Sequence, residues 1–418
     1  MTVREVPATP AGTAQRRPDP APRHNPLRRL DWSGWLALGL LTLGLVALAT
    51  GLVPAADADA TLRRIAPILV FLFAVLILAE LAARAEFFDV LAARMAIVAR
   101  GSYPALFGLS VALAALTTMI LNLDTTAVLL TPVMLAVATR AGIAPLPLAM
   151  TTIWLANTAS LLLPVSNLTN LLAAERIGLP VLGFAGRMAL PQLAALLATA
   201  VCLWLLYWRR GLRPERRFQP PPRYRPRDRT LFRVAALTCG FFVLGILVGV
   251  PIEAVSVLGA VVLLVAFAVR DRAALRWQLV PWRLVALVGG MFLIVDAVGR
   301  LGLSRLLSMV VGADPGVVGV WRSAAAGGLL ANLVNNLPAY VATEAVVPLG
   351  HTDQLLGLLI GTNAGPLVLP WASLATLLWL ERCRAAGLRP HWPRFLRTGA
   401  LTAAVTVAAA VTVLLLER

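Results

Sequence analysis

Lysine is absent from this chain of 418 residues, and all 37 of its Lys-plus-Arg positions are arginine. Without a P-loop lysine to hold nucleotide phosphates, ATP hydrolysis by a P-loop in this chain is excluded. Cysteine is scarce, and the spacing of Cys202, Cys239 and Cys383 fits neither a disulfide framework nor a zinc site. The three histidines are scattered too, and no HExxH sequence occurs. We therefore expect neither a metal site nor a cofactor.

Charge is also scarce. Charged residues make up 14% of the chain and hydrophobic residues 59%, whereas a typical soluble protein has about 25% charged residues. Apolar runs of roughly 18 to 22 residues recur, which is long enough to cross a bilayer. The net charge of +17 comes from arginines between these runs, so it indicates topology and not a nucleic-acid partner. We expect an all-α polytopic membrane protein in a lipid bilayer.

One unusual segment occurs twice in this apolar sequence. Residues 155–176 read LANTASLLLPVSNLTNLLAAER, and residues 361–382 read GTNAGPLVLPWASLATLLWLER. The two copies lie 206 positions apart, so that Asn157 matches Asn363. A bilayer tolerates backbone broken by Asn, Ser, Gly and Pro only where it lines a cavity. Paired broken segments in two halves of a chain indicate the binding site of a secondary transporter.

The chain divides at a hydrophilic stretch with nine arginines, residues 209–230. We predict a disordered basic tail over 1–30, a first transmembrane repeat over 31–208 and an Arg/Pro-rich connector over 209–230. Residues 231–418 then hold an extra span and a second repeat. Because of the extra span, the second repeat is inverted relative to the first, and about 11 transmembrane spans are expected in total.

Arginine distribution predicts the orientation in the cell (inner, cytoplasmic) membrane. The tail and the connector are rich in arginine, so both should be cytoplasmic. The loop segment 382–397 carries five arginines, whereas its counterpart 176–187 carries two. This difference fits an inverted second repeat, which places the C-terminus on the extracytoplasmic side.

Asp124 is the most informative ionisable residue, because apolar sequence flanks it and no arginine lies within ten positions on either side. A charge at the centre of a bilayer costs about 2.5–3.5 kcal/mol even on the more lenient scale. Such an acid persists where it binds a cation or carries a proton, so Asp124 is the candidate for proton coupling. The structural alternative, that Asp124 caps the following helix, is compatible with a transport role.

Neutral polar residues near the broken segments supply candidate substrate- or ion-binding groups. Amides and hydroxyls can both donate and accept hydrogen bonds, which suits a polyhydroxy solute or a partly dehydrated Na⁺. For a single Ser or Thr, a bond to its own helix is the structural alternative. The candidates are Asn122, Thr125, Thr126, Asn157, Ser166, Asn167 and Asn170 in the first half, and Asn335, Asn336, Asn363, Ser373 and Thr376 in the second.

Two acid–arginine pairs at i,i+4 spacing, Glu80–Arg84 and Asp296–Arg300, occupy matching ends of spans in the two halves. The acid precedes the arginine, which is the favourable order on a helix. We interpret both as structural ion pairs.

Several motifs together resemble those of the bacterial arsenite/antimonite efflux permeases. They are residues 124–132 (DTTAVLLTP), 165–168 (VSNL), 335–338 (NNLP) and 373–379 (SLATLLW), together with Gly365-Pro366. The resemblance covers most of residues 32–416 and adds Gly365 to the candidate binding residues. That family is part of an ion transporter superfamily that includes sodium-coupled dicarboxylate carriers.

The resemblance implies a fold and an activity. The fold has two inverted repeats, each with a re-entrant hairpin and a broken helix. The activity is export of arsenite or antimonite in exchange for protons. Arsenous acid is a neutral trihydroxy solute near neutral pH, so Asn, Ser and Thr suffice to bind it, and only the proton requires Asp124. Some members of the family use a soluble ATPase subunit. The sequence fixes neither such a subunit nor a homodimer.

The chain departs from the family pattern in ways that leave the substrate open. Leu123 stands where Asn is usual, Asn157 and Asn363 stand where Asp is frequent, and residues 369–372 read LPWA in place of TPIG. The expected site is therefore less acidic, and bulkier near Trp371. A sodium- or proton-coupled carrier of organic or inorganic anions is the alternative, and a passive solute channel is the alternative from another class. An enzyme is not expected, because the spans hold no acid pair and no nucleophile–base set.

Overall fold

The computed structural model describes residues 32–209, 220, 223–280 and 282–417. The tail predicted over 1–30 and most of the connector predicted over 209–230 lie outside the described residues. The described part is helical throughout, with short π and 3₁₀ segments, as predicted for an all-α membrane protein.

Among the described residues, eight helices of the first half precede the connector. They are α1 (Trp32–Ala49), α2 (Ala55–Arg84), α3 (Phe87–Val98), α4 (Tyr103–Ile120), α5 (Leu123–Arg140, which contains a π-helical turn), α6 (Pro145–Thr158), α7 (Leu168–Ile177) and α8 (Val181–Trp208).

Nine helices follow the connector in the part of the chain that the structure describes. They are α9 (Arg229–Val248), α10 (Ile252–Arg270), α11 (Trp282–Val298), α12 (Ser304–Val311), α13 (Val317–Val334), α14 (Asn336–Glu344), α15 (Thr352–Ala364), α16 (Leu374–Ala385) and α17 (Trp392–Leu416).

Within the described ranges, eight helical stretches are long and apolar enough to cross a membrane. They lie in α4, α5, α8, α9, α10, α11–α12, α13 and α17, and α1 adds a shorter apolar stretch, Leu38–Ala49. The helices of the repeated segment, α6, α7, α15 and α16, have 10 to 14 residues. At 1.5 Å per residue, such helices reach at most about two-thirds of the way across a 30 Å hydrocarbon layer. Each therefore enters without crossing, as expected for a re-entrant hairpin.

The repeat found in the sequence is also a repeat of local structure. α6 and α15 end at Thr158 and Ala364, and α7 and α16 begin at Leu168 and Leu374, so both boundaries are 206 positions apart. Between them, the 3₁₀ turns Pro164–Ser166 and Pro370–Ala372 keep the same spacing. Proline at each turn removes a backbone donor and stops the helix, which explains why both copies break at the same point.

The two halves interlock through helices outside the hairpins. α1 packs on α11, α2 on α10, and α8 on α17, so each half covers apolar surface of the other. The α1–α11 crossing is especially close: a Cβ added at Gly290 would lie 2.3 Å from the backbone nitrogen of Leu41. Each hydrophobic cluster of the described residues therefore draws side chains from both halves.

Both predicted ion pairs are present, and both arginines also reach across to the other half. Arg84 Nε lies 2.9 Å from Glu80 Oε1, and its guanidinium also donates to the carbonyl of Ala274 after α10. Arg300 lies 3.9 Å from Asp296 and binds Asp57 at the start of α2 more closely. Both pairs are therefore present as predicted, and each arginine also ties its repeat to the partner repeat.

Candidate functional site

Each half contains a second break, where one asparagine interrupts two helices. Asn122, between α4 and α5, has φ 141°, and Asn335, between α13 and α14, has φ 130°. With ψ of 172° and 153°, both lie in a backbone region that is populated almost only by glycine, so each holds strain on the order of 1–3 kcal/mol. Asn122 Oδ1 accepts from Thr125 N at 2.8 Å. The N-cap is therefore Asn122, and the alternative that Asp124 caps this helix is wrong.

The hairpin tips are built alike. Asn167 and Ser373 occupy the N-cap positions of α7 and α16 with nearly equal extended backbone angles. The Asn167 side chain accepts from Thr169 N at 3.3 Å. Each tip therefore leads into a short helix, and the first turn of that helix lies between the two halves of the protein.

Four helix N-termini converge on one cavity of about 500 Å³. The first residues of α5, α7, α14 and α16 all line it: Leu123, Leu168, Asn336 and Leu374. A helix N-terminus carries a partial positive charge and unpaired backbone N–H groups. The cavity therefore offers donors to electronegative oxygen atoms from both repeats.

The polar wall of this cavity contains five of the sequence-predicted residues: Asn122, Asp124, Asn167, Asn335 and Asn336. Asp124 is the only acid, and no arginine or histidine is found, among the described residues that line the cavity. Asp124 Oδ1 and the Nδ2 atoms of Asn122 and Asn167 are enclosed, and the described part of the chain supplies no hydrogen-bond partner for them. Enclosed polar atoms are rarely left unsatisfied in folded proteins, so these three point to a bound solute, ion or water.

The other predicted residues lie behind the cavity wall. They are Thr125, Thr126, Asn157, Ser166, Asn170, Asn363, Gly365, Ser373 and Thr376, and all of them are buried. Thr126 Oγ1 donates to the carbonyl of Asn122 at 2.8 Å, which is the helix back-bond set out as the structural alternative. Ser166 Oγ donates to the carbonyl of Met119 at 2.7 Å and so fixes the first tip to α4.

Asn363 joins the two hairpins directly. Its Nδ2 donates to Asn170 Oδ1 at 2.7 Å, and its Oδ1 accepts from Thr169 Oγ1 at 2.7 Å. Asn170 Nδ2 in turn donates to the carbonyls of Ser160 and Leu163 in the unwound part of the first hairpin. The tip of one repeat is thus bonded to the tip of the other through fully buried amides.

Asn363→Ala should loosen this contact. The substitution leaves a hydroxyl and an amide oxygen of the first hairpin buried without partners, which costs about 1–3 kcal/mol for each unsatisfied group. We expect a clearly lower melting temperature in detergent and reduced transport. Thr362→Ala is the matched control, because the Thr362 hydroxyl bonds only within α15, to Leu359 at 3.1 Å. Equal melting temperatures for the two variants would contradict the bonding role of Asn363.

Two side chains support the unwound segments, and sequence reasoning missed the first of them, Gln192. Gln192 on α8 accepts from Leu161 N at 2.7 Å and donates to the carbonyl of Thr158 at 3.1 Å. In the second hairpin, Asn332 donates to the carbonyl of Gly365 at 2.9 Å and accepts from Leu369 N at 3.2 Å. Gln192 could have been found in the sequence, because it is an amide that directly follows a proline inside a largely apolar helix.

Sequence reasoning also missed the apolar wall of the cavity. α1, α2 and α11 contribute Leu40, Phe71, Leu287 and Met291. These residues have no local signal, because they resemble every other side chain of an apolar span. The wall exists only because the two halves interlock.

Comparison with known proteins matches most of the chain. A sequence profile described as "Citrate transporter" matches residues 33–376. An Escherichia coli protein named "Arsenical pump membrane protein" is 31% identical over 397 residues, covering 88% of this chain and 89% of that protein. A Bacillus subtilis protein named "Putative arsenical pump membrane protein" is 26% identical over 403 residues, covering 87% and 90%.

A solved structure shares the fold at low sequence identity. It is the Alcanivorax borkumensis YdaH transporter, described as having an unusual topology. It superposes with a TM-score of 0.57 at 14% identity, covering 92% of this chain and 97% of that one. The likeness extends over both halves, so the arrangement of broken helices described above belongs to a known transporter fold.

Proposed function

Since the chain belongs to the citrate transporter family and, within it, to the arsenical pump membrane proteins, we propose that it exports trivalent arsenic or antimony hydroxide in exchange for protons. The observation that carries the proposal is the single acid among asparagines at a cavity formed by both repeats. A transporter, and not an enzyme, is what such a site supports, because the described lining offers one titratable group and no base paired with it.

The chemistry of the lining favours a neutral hydroxylated solute. The amides of Asn122, Asn167 and Asn336, together with the helix N-termini, can donate to and accept from As–OH groups. No arginine or histidine of the described lining is available to neutralise an anion. Arsenous acid carries no charge near neutral pH, so it avoids repulsion by the Asp124 carboxylate.

Asp124 would couple the solute to protons. An enclosed carboxyl with no basic neighbour is easier to hold in its neutral, protonated form than as an anion, because a buried charge needs a partner. Solute and proton can then compete for the same oxygen atoms: proton entry displaces the solute on one side, and proton release restores its site on the other. Each cycle moves the solute outward and a proton inward.

A sodium-coupled anion carrier is the second candidate, favoured by the name of the matching profile. The four helix N-termini supply partial positive charge, but each is worth only about 0.3–1 kcal/mol at an exposed site. A di- or tricarboxylate next to Asp124 would therefore need cations bound with it. Dependence on sodium is the property that separates the two candidates.

Everted membrane vesicles from a host without other arsenic pumps test the proposal. We expect saturable arsenite uptake that a protonophore abolishes and that neither sodium removal nor citrate affects. Uptake that requires sodium and is inhibited by citrate would favour the anion carrier. Uptake that rises linearly with concentration and ignores the proton gradient would indicate a passive channel.

A further inference from the structure

The two repeats contribute unequal chemistry to the cavity that they share. When Asn122 is matched to Asn335, the position of Asp124 corresponds to Leu337. When the hairpins are matched at a spacing of 206, Val165 corresponds to Trp371. At these two matched positions the first repeat presents an acid and a small aliphatic side chain, whereas the second presents a leucine and a tryptophan.

Trp371 is the largest of these differences. It is 47% exposed, while Val165, which also lines the cavity, is 1% exposed. Asn335 Nδ2 donates to the Trp371 carbonyl at 2.9 Å, so the backbone of the second tip is fixed where the indole stands. The tryptophan is thus a built part of the cavity wall.

The remaining wall extends this apolar side. Leu40, Phe71, Leu287 and Met291 reach the cavity from α1, α2 and α11. None of these side chains can bond a hydroxyl group, so arsenous acid alone gains little from them. Arsenous acid is also small for this cavity. A cavity of about 150 Å³ already holds benzene, and this one measures about 500 Å³.

We propose that this site also takes trivalent organoarsenicals of the form R–As(OH)₂, with the two hydroxyls at the polar wall and the organic group R against Trp371 and Met291. The proposal rests on the proposed function, since it assigns a wider substrate class to the same site. Burying each additional carbon of R is worth about fourfold in affinity. A phenyl group should therefore bind at least tenfold more tightly than a hydroxyl in the same place.

The lining of the cavity also predicts which arsenicals are excluded. The pentavalent counterpart, phenylarsonic acid, keeps the ring but is an anion at neutral pH. No described residue that lines the cavity is an arginine or a histidine, and Asp124 would repel the anion. Phenylarsonic acid is therefore a matched control that differs in charge but not in apolar surface.

Exchange in proteoliposomes tests the inference with the full chain. Vesicles preloaded with arsenite take up external phenylarsonous acid, methylarsonous acid, phenylarsonic acid or labelled arsenite. The arsenic species inside are separated and quantified individually, because one-for-one exchange leaves total arsenic unchanged, and dilution confirms that no thiol adduct remains. We expect half-saturation by phenylarsonous acid at a concentration at least tenfold below that of arsenite, an intermediate value for the methyl compound, and no exchange of phenylarsonic acid.

Bulky substitutions in the apolar wall test whether this wall binds the organic group. Met291→Trp, or Leu287→Trp if the first does not fold, should lower the transport efficiency for phenylarsonous acid at least tenfold more than that for arsenite. Leu237→Trp is the control, because Leu237 on α9 is 70% exposed on the outer surface and should leave both solutes unchanged.

Each result has a separate meaning. Exchange of arsenite without exchange or inhibition by phenylarsonous acid would overturn this inference and leave the proposed function standing. A proportional loss of both solutes in Met291→Trp and Leu287→Trp would also overturn it, because the wall would then not discriminate. Failure to exchange arsenite at all would overturn the proposed function itself.

Discussion

Asp124→Asn should abolish proton-driven accumulation of arsenite in everted vesicles, lowering it at least tenfold. Asparagine keeps the size of the side chain and its hydrogen-bonding capacity but cannot exchange a proton. Binding should survive better than coupling, because the amides of Asn122 and Asn167 remain. Arsenite exchange in proteoliposomes, which needs no proton gradient, should therefore continue at a measurable rate.

The control for this variant is Asp59→Asn. Asp59 pairs with Arg63 on the exposed first turns of α2 and lies outside the cavity, so accumulation should be unaffected. Asp124→Glu should retain part of the activity with altered dependence on pH. Full accumulation by Asp124→Asn, still sensitive to a protonophore, would remove Asp124 from the coupling mechanism.

Gly361→Ala should be a strongly damaging small substitution outside the cavity. A Cβ at Gly361 would lie 2.0 Å from the carbonyl oxygen of Ala324, and so would force α13 and α15 apart. Overpacking of this kind costs about 1–3 kcal/mol, occasionally more, and Gly361→Leu should prevent accumulation of folded protein. The second hairpin would lose its support on α13, and transport would fall with it.

Two glycines provide the graded comparison. At Gly328 the nearest atom would lie 3.4 Å from an added Cβ, so Gly328→Ala should have a small effect. At Gly240 on α9 nothing lies within 4 Å, and Gly240→Ala should be neutral or slightly stabilising because alanine favours helix. Melting temperatures in detergent should decrease in the order Gly240→Ala, Gly328→Ala, Gly361→Ala. A Gly361→Ala protein as stable as Gly240→Ala would contradict the close helix contact.

The broken hairpins were predictable from sequence because the signal is strong in this environment. Asn, Pro and Ser inside an apolar run have few structural explanations in a bilayer, and the spacing of 206 gives the same break twice. The position of Asp124 at the cavity followed from the same physics. Local chemistry sufficed for these features because an uncompensated polar group in a bilayer has a large free-energy cost.

The sequence did not predict which polar residues line the cavity and which ones bond the two hairpins together. Asn167 lines the cavity while Asn170, three residues later, bonds the opposite hairpin. The direction of a side chain after an unwound segment depends on how the break is bent, and sequence spacing does not encode that angle. The correspondence between the second breaks also needed the structure: Asn335, and not Asn332, matches Asn122 in backbone conformation.

Close contacts between helices were equally invisible in the sequence. The close approach at Gly361 is particular to the second repeat, since Leu155 occupies the matching position of the first. Glycine in an apolar span has many uses, so its packing role appears only when the neighbouring helix is known. The same holds for the wall formed by α1, α2 and α11.

The most direct measurement is a cross-link between the two hairpins. Thr169→Cys and Asn363→Cys replace side chains whose oxygen atoms lie 2.7 Å apart, in a chain whose three native cysteines are changed to alanine. We predict that an oxidant or a short bifunctional thiol reagent joins this pair within one molecule, and that Thr169→Cys paired with Leu237→Cys on α9 stays unlinked. A folded, membrane-inserted Thr169→Cys/Asn363→Cys protein that cannot be cross-linked would show that the two tips do not meet, and the shared site would not exist.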